Sequence, residues 1–233
     1  MTIHAPELAA FRELAQSHDL VPVYRRLTSD TLTPVSAFYR LDSGGTACLF
    51  ESVVGGERVG RYSFLAVRPY AEFVAWGTRV QLLDGDVMRE ESAADPLALL
   101  QAQVDRRVAV LPELPPFIGG AVGYAGYDVV RYTERLPNPP EDDRGLPDIS
   151  FALYDEIVVF DHVQKTLYAI ALADTSGQVD VESAYADACA RVDRLAERLR
   201  WNDRRLAIHD VPVEAHAEGK LVYESNFDKE SFL

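Results

Sequence analysis

The sequence predicts an α+β fold, with mostly antiparallel β-sheet in one or more layers flanked by helices. Three observations lead there. Short segments with a hydrophobic period near two crowd residues 20–88, a second strand-rich stretch fills 149–173, and helical periodicity is confined to segments before, between and after them. Regular β-α-β alternation is missing, so a dinucleotide-binding fold is not supported.

Taken in order, Pro6 followed by Leu8, Phe11, Leu14 and Ala15 at helical spacing predicts a short amphipathic helix with Pro6 in its first turn, ending near His18. LVPVYRRL, VSAFYRL, ACLFESVV, RVGRYSFLAV, AEFVAW and RVQLLD then read as antiparallel strands, punctuated by SDTLTP, DSGG, VGGE, RPY and DGD. Asp95 and Pro96 form an N-cap and first-turn pair for a helix carrying Leu97, Leu100 and Val104 to about Arg107. LPELPP ends it. The glycine-rich stretch FIGGAVGYAG leads into a predicted helix over 127–134, and the polar loop PNPPEDDRGLPD leads into ISFALYDEIVVFDH and LYAIALA, strands with a turn at 162–166. Tyr185, Ala188, Val192, Leu195 and Leu199 recur at intervals of three and four, marking a long amphipathic helix over 181–201. Composition then turns polar, and SNFDKESFL resembles a helix start capped by Ser225 or Asn226. The expected division is 1–211 for the main region and 212–233 for a linker and the beginning of a further domain.

Bulk properties exclude several functions. The chain has 233 residues with 48% hydrophobic and 10% aromatic content, enough for a substantial core and far from a disordered composition. With 37 Asp and Glu against 23 Lys and Arg, its formal charge of −14 repels nucleic acid and anionic membrane surfaces. No stretch reaches the roughly 18 apolar residues of a membrane helix, and the N-terminus lacks a signal-peptide pattern, so a soluble, cytoplasmic protein is expected. Cys48 and Cys189 show no metal-ligand spacing and read as reduced thiols.

Few residues suggest chemistry. GGAVGYAG has neither the Gly-Lys-Ser/Thr ending of a phosphate loop nor the G-x-G-x-x-G spacing, so its glycines are read as close-packing or positive-φ positions. His4, His18, His162, His209 and His216 are scattered; only His162 follows a carboxylate, and Asp161 with His162 reads as a turn. Glu51 and Ser52 stand apart, because they place a carboxylate and a hydroxyl inside an apolar strand pattern. One reading is an exposed Glu and a carbonyl-bonded Ser. The other is a small polar pocket, with Arg61 or Arg58 on the return strand supplying positive charge.

The blocks PVYRRLTSDTLTPVSAFYRL, LFESVVGGERVGRYSFLAVRP, FIGGAVGYAGYDVVRYTERLP, LPDISFALYDEIVVFDH and SNFDKESF, in that order, resemble the N-terminal half of anthranilate synthase component I, from Leu20 to Leu233. The resemblance implies an enzyme that converts chorismate and ammonia to anthranilate and pyruvate with magnesium, the ammonia coming from a glutamine amidotransferase subunit. It further implies a tryptophan feedback site at a Leu-Leu-Glu-Ser element. Here that element is Leu49-Phe50-Glu51-Ser52, with Phe50 in place of the second leucine; Ser52 matches the inhibitor-contacting serine, Glu51 its neighbour, and Arg61 falls near the basic pocket residue. The chorismate- and magnesium-binding residues of the family belong to its C-terminal half, so no catalytic residue and no cofactor carries over to these positions and the chain alone is expected to be inactive. Two alternatives stay open: the corresponding portion of aminodeoxychorismate synthase component I, and a stand-alone module binding an aromatic amino acid.

Overall fold

The computed structural model describes residues 3–28, 30–51, 60–138, 141–177, 179–200 and 230. Met1–Asp203 forms one unit and Arg204–Leu233 another, of which only Glu230, in helical conformation, is described.

Among the described residues of the first unit, the strands assemble into two five-stranded sheets, antiparallel throughout. The first sheet has the order β1 (Leu20–Thr28), β10 (Thr166–Asp174), β9 (Glu156–Asp161), β3 (Tyr62–Val67) and β2 (Ala47–Phe50). The second has the order β6 (Val87–Ser92), β5 (Arg79–Asp84), β4 (Ala71–Trp76), β8 (Ile149–Tyr154) and β7 (Gly120–Ala125). The chain passes between sheets twice by very short links: residues 68–70 join β3 to β4, and Asp155 alone joins β8 to β9.

Alternation along the strands gives the first sheet two apolar faces. Val21, Val23, Leu65, Val158, Phe160, Leu167 and Ala169 point to one side. There they meet Phe11 of α1 (Leu8–Ala15), Ala37 and Leu41 of α2 (Pro34–Leu41), and Ala188, Val192, Leu195 and Leu199 of α4 (Val181–Arg200). Each fully buried Val or Leu there contributes about 1.5–3 kcal/mol relative to exposure. Tyr24, Ala66, Ile157, Val159, Tyr168 and Ile170 point to the other side, where residues 111–118 bring Leu111, Leu114 and Phe117 against them. The second sheet buries Phe73, Ala75, Val80, Ile149 and Leu153 with Leu97 and Leu100 of α3 (Pro96–Val104).

An α+β class of antiparallel sheets flanked by helices is therefore what the chain adopts, with local corrections. VSAFYRL is α2 rather than a strand. Thr33 accepts from the Ser36 amide while the Ser36 hydroxyl accepts from the Thr33 amide, and Pro34 sits in the first turn, so both ends of that capping arrangement favour helix. Pro34, Ala37 and Leu41 then face the core at intervals of three and four, a helical spacing. Pro6 precedes α1 instead of entering it, since Glu7 is the N-cap. The 127–134 helix is a 3-10 helix over Tyr127–Tyr132, and the glycine-rich stretch contains β7. Close packing explains its composition: a Cβ on Gly123 would lie 1.9 Å from the Ser150 carbonyl oxygen and 2.6 Å from the Phe151 Cα.

One side chain secures the single-residue link at Asp155. Arg191, from α4, donates through Nε to Glu156 Oε1 at 2.9 Å, through Nη1 to the Leu172 carbonyl at 3.2 Å and through Nη2 to the Asp155 carbonyl at 2.9 Å; Nη2 also lies 2.9 Å from Asp155 Oδ2. A planar fork reaches all of these at once; an ammonium does not. Arg191→Lys should cost about 3 kcal/mol in urea denaturation, because a largely buried constellation loses most of its donors. Gly123→Ala should cost about 3 kcal/mol by the same measurement through overpacking of the β7–β8 pair. Gly45→Ala, where an added Cβ meets nothing within 4 Å, should change stability by less than about 0.5 kcal/mol.

Candidate functional site

At one end of the first sheet Thr28, Thr166, Asp161 and Tyr62 stand in register across β1, β10, β9 and β3. Arg61 enters β3 at this end, and β2 leaves it at Phe50, paired with Phe64. The strand ends there, so Glu51 is exposed beyond it and not within it, which corrects the mid-strand expectation. Glu51 forms no ion pair or hydrogen bond among the described residues. Ser52 and Arg58 lie outside the described residues.

Arg61 is held by a carboxylate from far along the chain. Its Nη2 and Nε donate to Asp161 Oδ2 at 2.7 and 3.2 Å, and its guanidinium lies 4.8 Å over the Tyr62 ring. Asp161 is 1% exposed. Its other oxygen, Oδ1, accepts from the Val163 and Gln164 amides, each at 3.0 Å, so it closes the β9–β10 turn as well as pairing with Arg61. Burial pushes this carboxyl upward, yet the Arg61 hydrogen bond, the Gln164 and Val163 amides and the Arg61 charge outweigh it and hold it below the usual carboxylate range. The same hydrogen bond raises Arg61 above its ordinary value.

Around this pair, Arg26 donates to Gln164 Oε1 at 2.6 Å and lies 5.8 Å from the Tyr168 ring centre. Ser63 Oγ and His162 Nε2 are 2.7 Å apart, a spacing reminiscent of a nucleophile and its base. Ser63 is 1% exposed, however, and among the described residues no carboxylate hydrogen-bonds His162, so this pair fixes the turn. The arrangement can therefore present cations and aromatic faces to an anionic or zwitterionic group. Arg61 suits that role, because Asp161 occupies its Nε and Nη2 while Nη1 makes no hydrogen bond among the described residues. Sequence reasoning found Arg61 and noted Asp161, but not that they meet. The signal was the position of FDH at a strand end, and only the pairing register turns that into a contact.

Among the described residues no group of three or more His, Cys, Asp or Glu converges to hold a metal. No helix among them is long and apolar enough to cross a membrane.

Comparison with known proteins bears on the chain as a whole. Residues 45–230 match the family model described as chorismate binding enzyme. The chain is 32% identical over 228 residues to anthranilate synthase component 1 of Acetivibrio thermocellus, covering 97% of this chain and 46% of that protein. It is 37% identical over 235 residues to anthranilate synthase component 1 of Synechocystis sp., covering 98% of this chain and 46% of that protein. The chain thus spans about half the length of the curated relatives it matches. The crystal structure of anthranilate synthase component I from Streptococcus pneumoniae superposes with a TM-score of 0.51 at 27% identity, over 77% of this chain and 37% of that one.

Asp161 generates a pH test. A carboxyl held low in the folded protein stabilises it above the unfolded value, near pH 4, and that contribution disappears as pH falls through the folded value. Asp161→Asn should therefore cost about 2 kcal/mol at pH 7. Thermal melts should show the difference from the parent protein shrinking as pH falls below about 4.

Proposed function

The chain belongs to the family of chorismate binding enzymes, and from that premise we propose that it is the amino-terminal regulatory and structural portion of an anthranilate synthase component I. The observation that carries this reading is one of coverage. Likeness to anthranilate synthase component 1 extends over 97% and 98% of this chain in two relatives while taking in 46% of each. The reaction proposed is conversion of chorismate to anthranilate and pyruvate in tryptophan biosynthesis, in the cytoplasm, with ammonia delivered by a glutamine amidotransferase subunit. Chorismate and magnesium are proposed to bind the region of the relatives that this chain does not span.

Within that reading, Glu51, Ser52 and Arg61 form part of a tryptophan feedback site. Tryptophan is a zwitterion with an aromatic body. Arg61 supports a role at its carboxylate, since the guanidinium is already oriented by Asp161 and Tyr62 and keeps donor capacity in reserve. Glu51, exposed and without a partner among the described residues, is proposed to face the ammonium, and Ser52 to donate a hydrogen bond to the carboxylate.

Anthranilate fluorescence tests the proposal. The chain is incubated with chorismate, magnesium and ammonium, alone and mixed with the complementary carboxy-terminal region of the Acetivibrio thermocellus relative. Anthranilate should form only on mixing. Fluorescence from the chain alone would place catalytic residues in it and overturn the assignment, as would aminodeoxychorismate as the product of the mixture, or no product in either tube. In the active mixture, Ser52→Ala should raise the tryptophan inhibition constant about 10- to 100-fold, the worth of one hydrogen bond to a charged group.

A further inference from the structure

A cavity of about 490 Å³ opens at the opposite end of the first sheet. It lies between the start of β1, the end of α3, the approach to β7 and the Asp155 link, so it shares no residue with the Arg61 cluster. Its size falls in the range of small-molecule sites, roughly 300–1,000 Å³. Leu20, Val104, Val108, Phe117, Ile118 and Leu172 supply apolar wall. Gly119 and Gly120 complete it at positive φ, 148° and 121°, where side chains are rarely accommodated.

The polar lining is specific. Its charged residues are two arginines, Arg106 and Arg191, and two aspartates, Asp155 and Asp174. These sum to zero, so a dianion gains no net attraction on entry, whereas a molecule with separated charges does. The charges are fixed in place: Arg106 Nη2 lies 2.8 Å from Asp174 Oδ1, and Arg191 Nη2 lies 2.9 Å from Asp155 Oδ2. The Tyr70 ring lies among them, within the electrostatic influence of Asp155, Arg106 and Asp174, and its hydroxyl makes no hydrogen bond among the described residues. Burial raises the Asp155 carboxyl above its ordinary range against the opposing pull of Arg191, so a further cationic donor is welcome there.

We propose that this cavity binds a small zwitterion with an apolar body, in the class of free apolar α-amino acids, its ammonium on Asp155 and Tyr70 and its carboxylate on Arg106. The site is separate from the feedback site proposed above and does not depend on it.

Isothermal titration of the full chain with L-phenylalanine tests this, beside phenylethylamine, which lacks the carboxylate, and 3-phenylpropanoate, which lacks the ammonium. L-Phenylalanine should bind with a dissociation constant below about 1 mM, and each analogue about tenfold or more weakly. Val108→Trp, which fills the cavity from its wall, should abolish the heat, and Arg106→Gln should weaken binding about tenfold. Gly45→Ala, where an added Cβ meets nothing within 4 Å, should leave it unchanged. Circular dichroism melts confirm that each variant is folded; for a variant that is not, its partner variant carries the test. Absence of heat up to 10 mM (about −2.7 kcal/mol), undiminished binding to folded Val108→Trp, equal binding of either analogue, or loss in Gly45→Ala would each overturn the proposal.

Discussion

Two short links carry the chain between the sheets, and the packing around the shorter one, Asp155 alone, depends on how that residue is held. Asp155 carries the chain from β8, one strand in from the edge of its sheet, to β9, the central strand of the other, so β8 and β9 cannot reorient independently. A backbone that leaves one ladder and joins another has carbonyls with no ladder partner. The Asp155 carbonyl accepts from the Leu172 amide at 2.7 Å, and Arg191 donates to that carbonyl and to the Leu172 carbonyl, which faces Pro22 and its missing N–H, while neutralising the Asp155 and Glu156 carboxylates. Because Arg191 belongs to α4, which packs Val192, Leu195 and Leu199 on the first sheet, the same helix that closes the core also fixes the angle of the turn between sheets.

The two ends of the first sheet then acquire opposite electrostatic character from similar materials. Asp161 and Asp155 flank β9, and the largest influence on each is burial, which opposes ionisation. Asp161 nonetheless stays below its ordinary range because Arg61 and two turn amides converge on it. Asp155 moves up, since Arg191 divides its donors among several acceptors while Glu156 and Asp187 add negative charge nearby. One end has a satisfied anion and a cation with donors to spare. At the other, an anion still favours a donor. The direction of each shift follows from the number of donors that the fold aims at each oxygen.

Much of this architecture was legible. Segments whose burial alternates or whose helical stripe is continuous, such as AEFVAW and the helix over 181–200, fall where their periods put them. The failures have physical causes. β6, VMREES, is exposed along its whole length and is held by pairing with β5 alone, so it carries no hydrophobic signal. β7 is hidden by glycines that β8 requires for close approach. VSAFYRL was decided by capping, which outweighs a short apolar pattern. At the site, Arg61 was legible as a cation near Glu51, but its partner is 100 residues away and enters only through the β3–β9 register. Ser52 lies outside the described residues, so its part rests on family likeness.

A recognition cation has to be ordered before its ligand arrives, or the ligand bears the entropy of ordering it. A long arginine at the mouth of a sheet is ordinarily a poor candidate, with about 2 kcal/mol of side-chain freedom to lose. Arg61 is different. Asp161 holds one edge of its guanidinium at 2.7 Å, Tyr62 lies against its face, and a third of the side chain remains open. Asp161 in turn is anchored by its own turn amides and by burial, so that the chain of constraint ends in the sheet itself. The buried aspartate therefore orders Arg61 through Nε and Nη2, and Nη1 makes no hydrogen bond among the described residues.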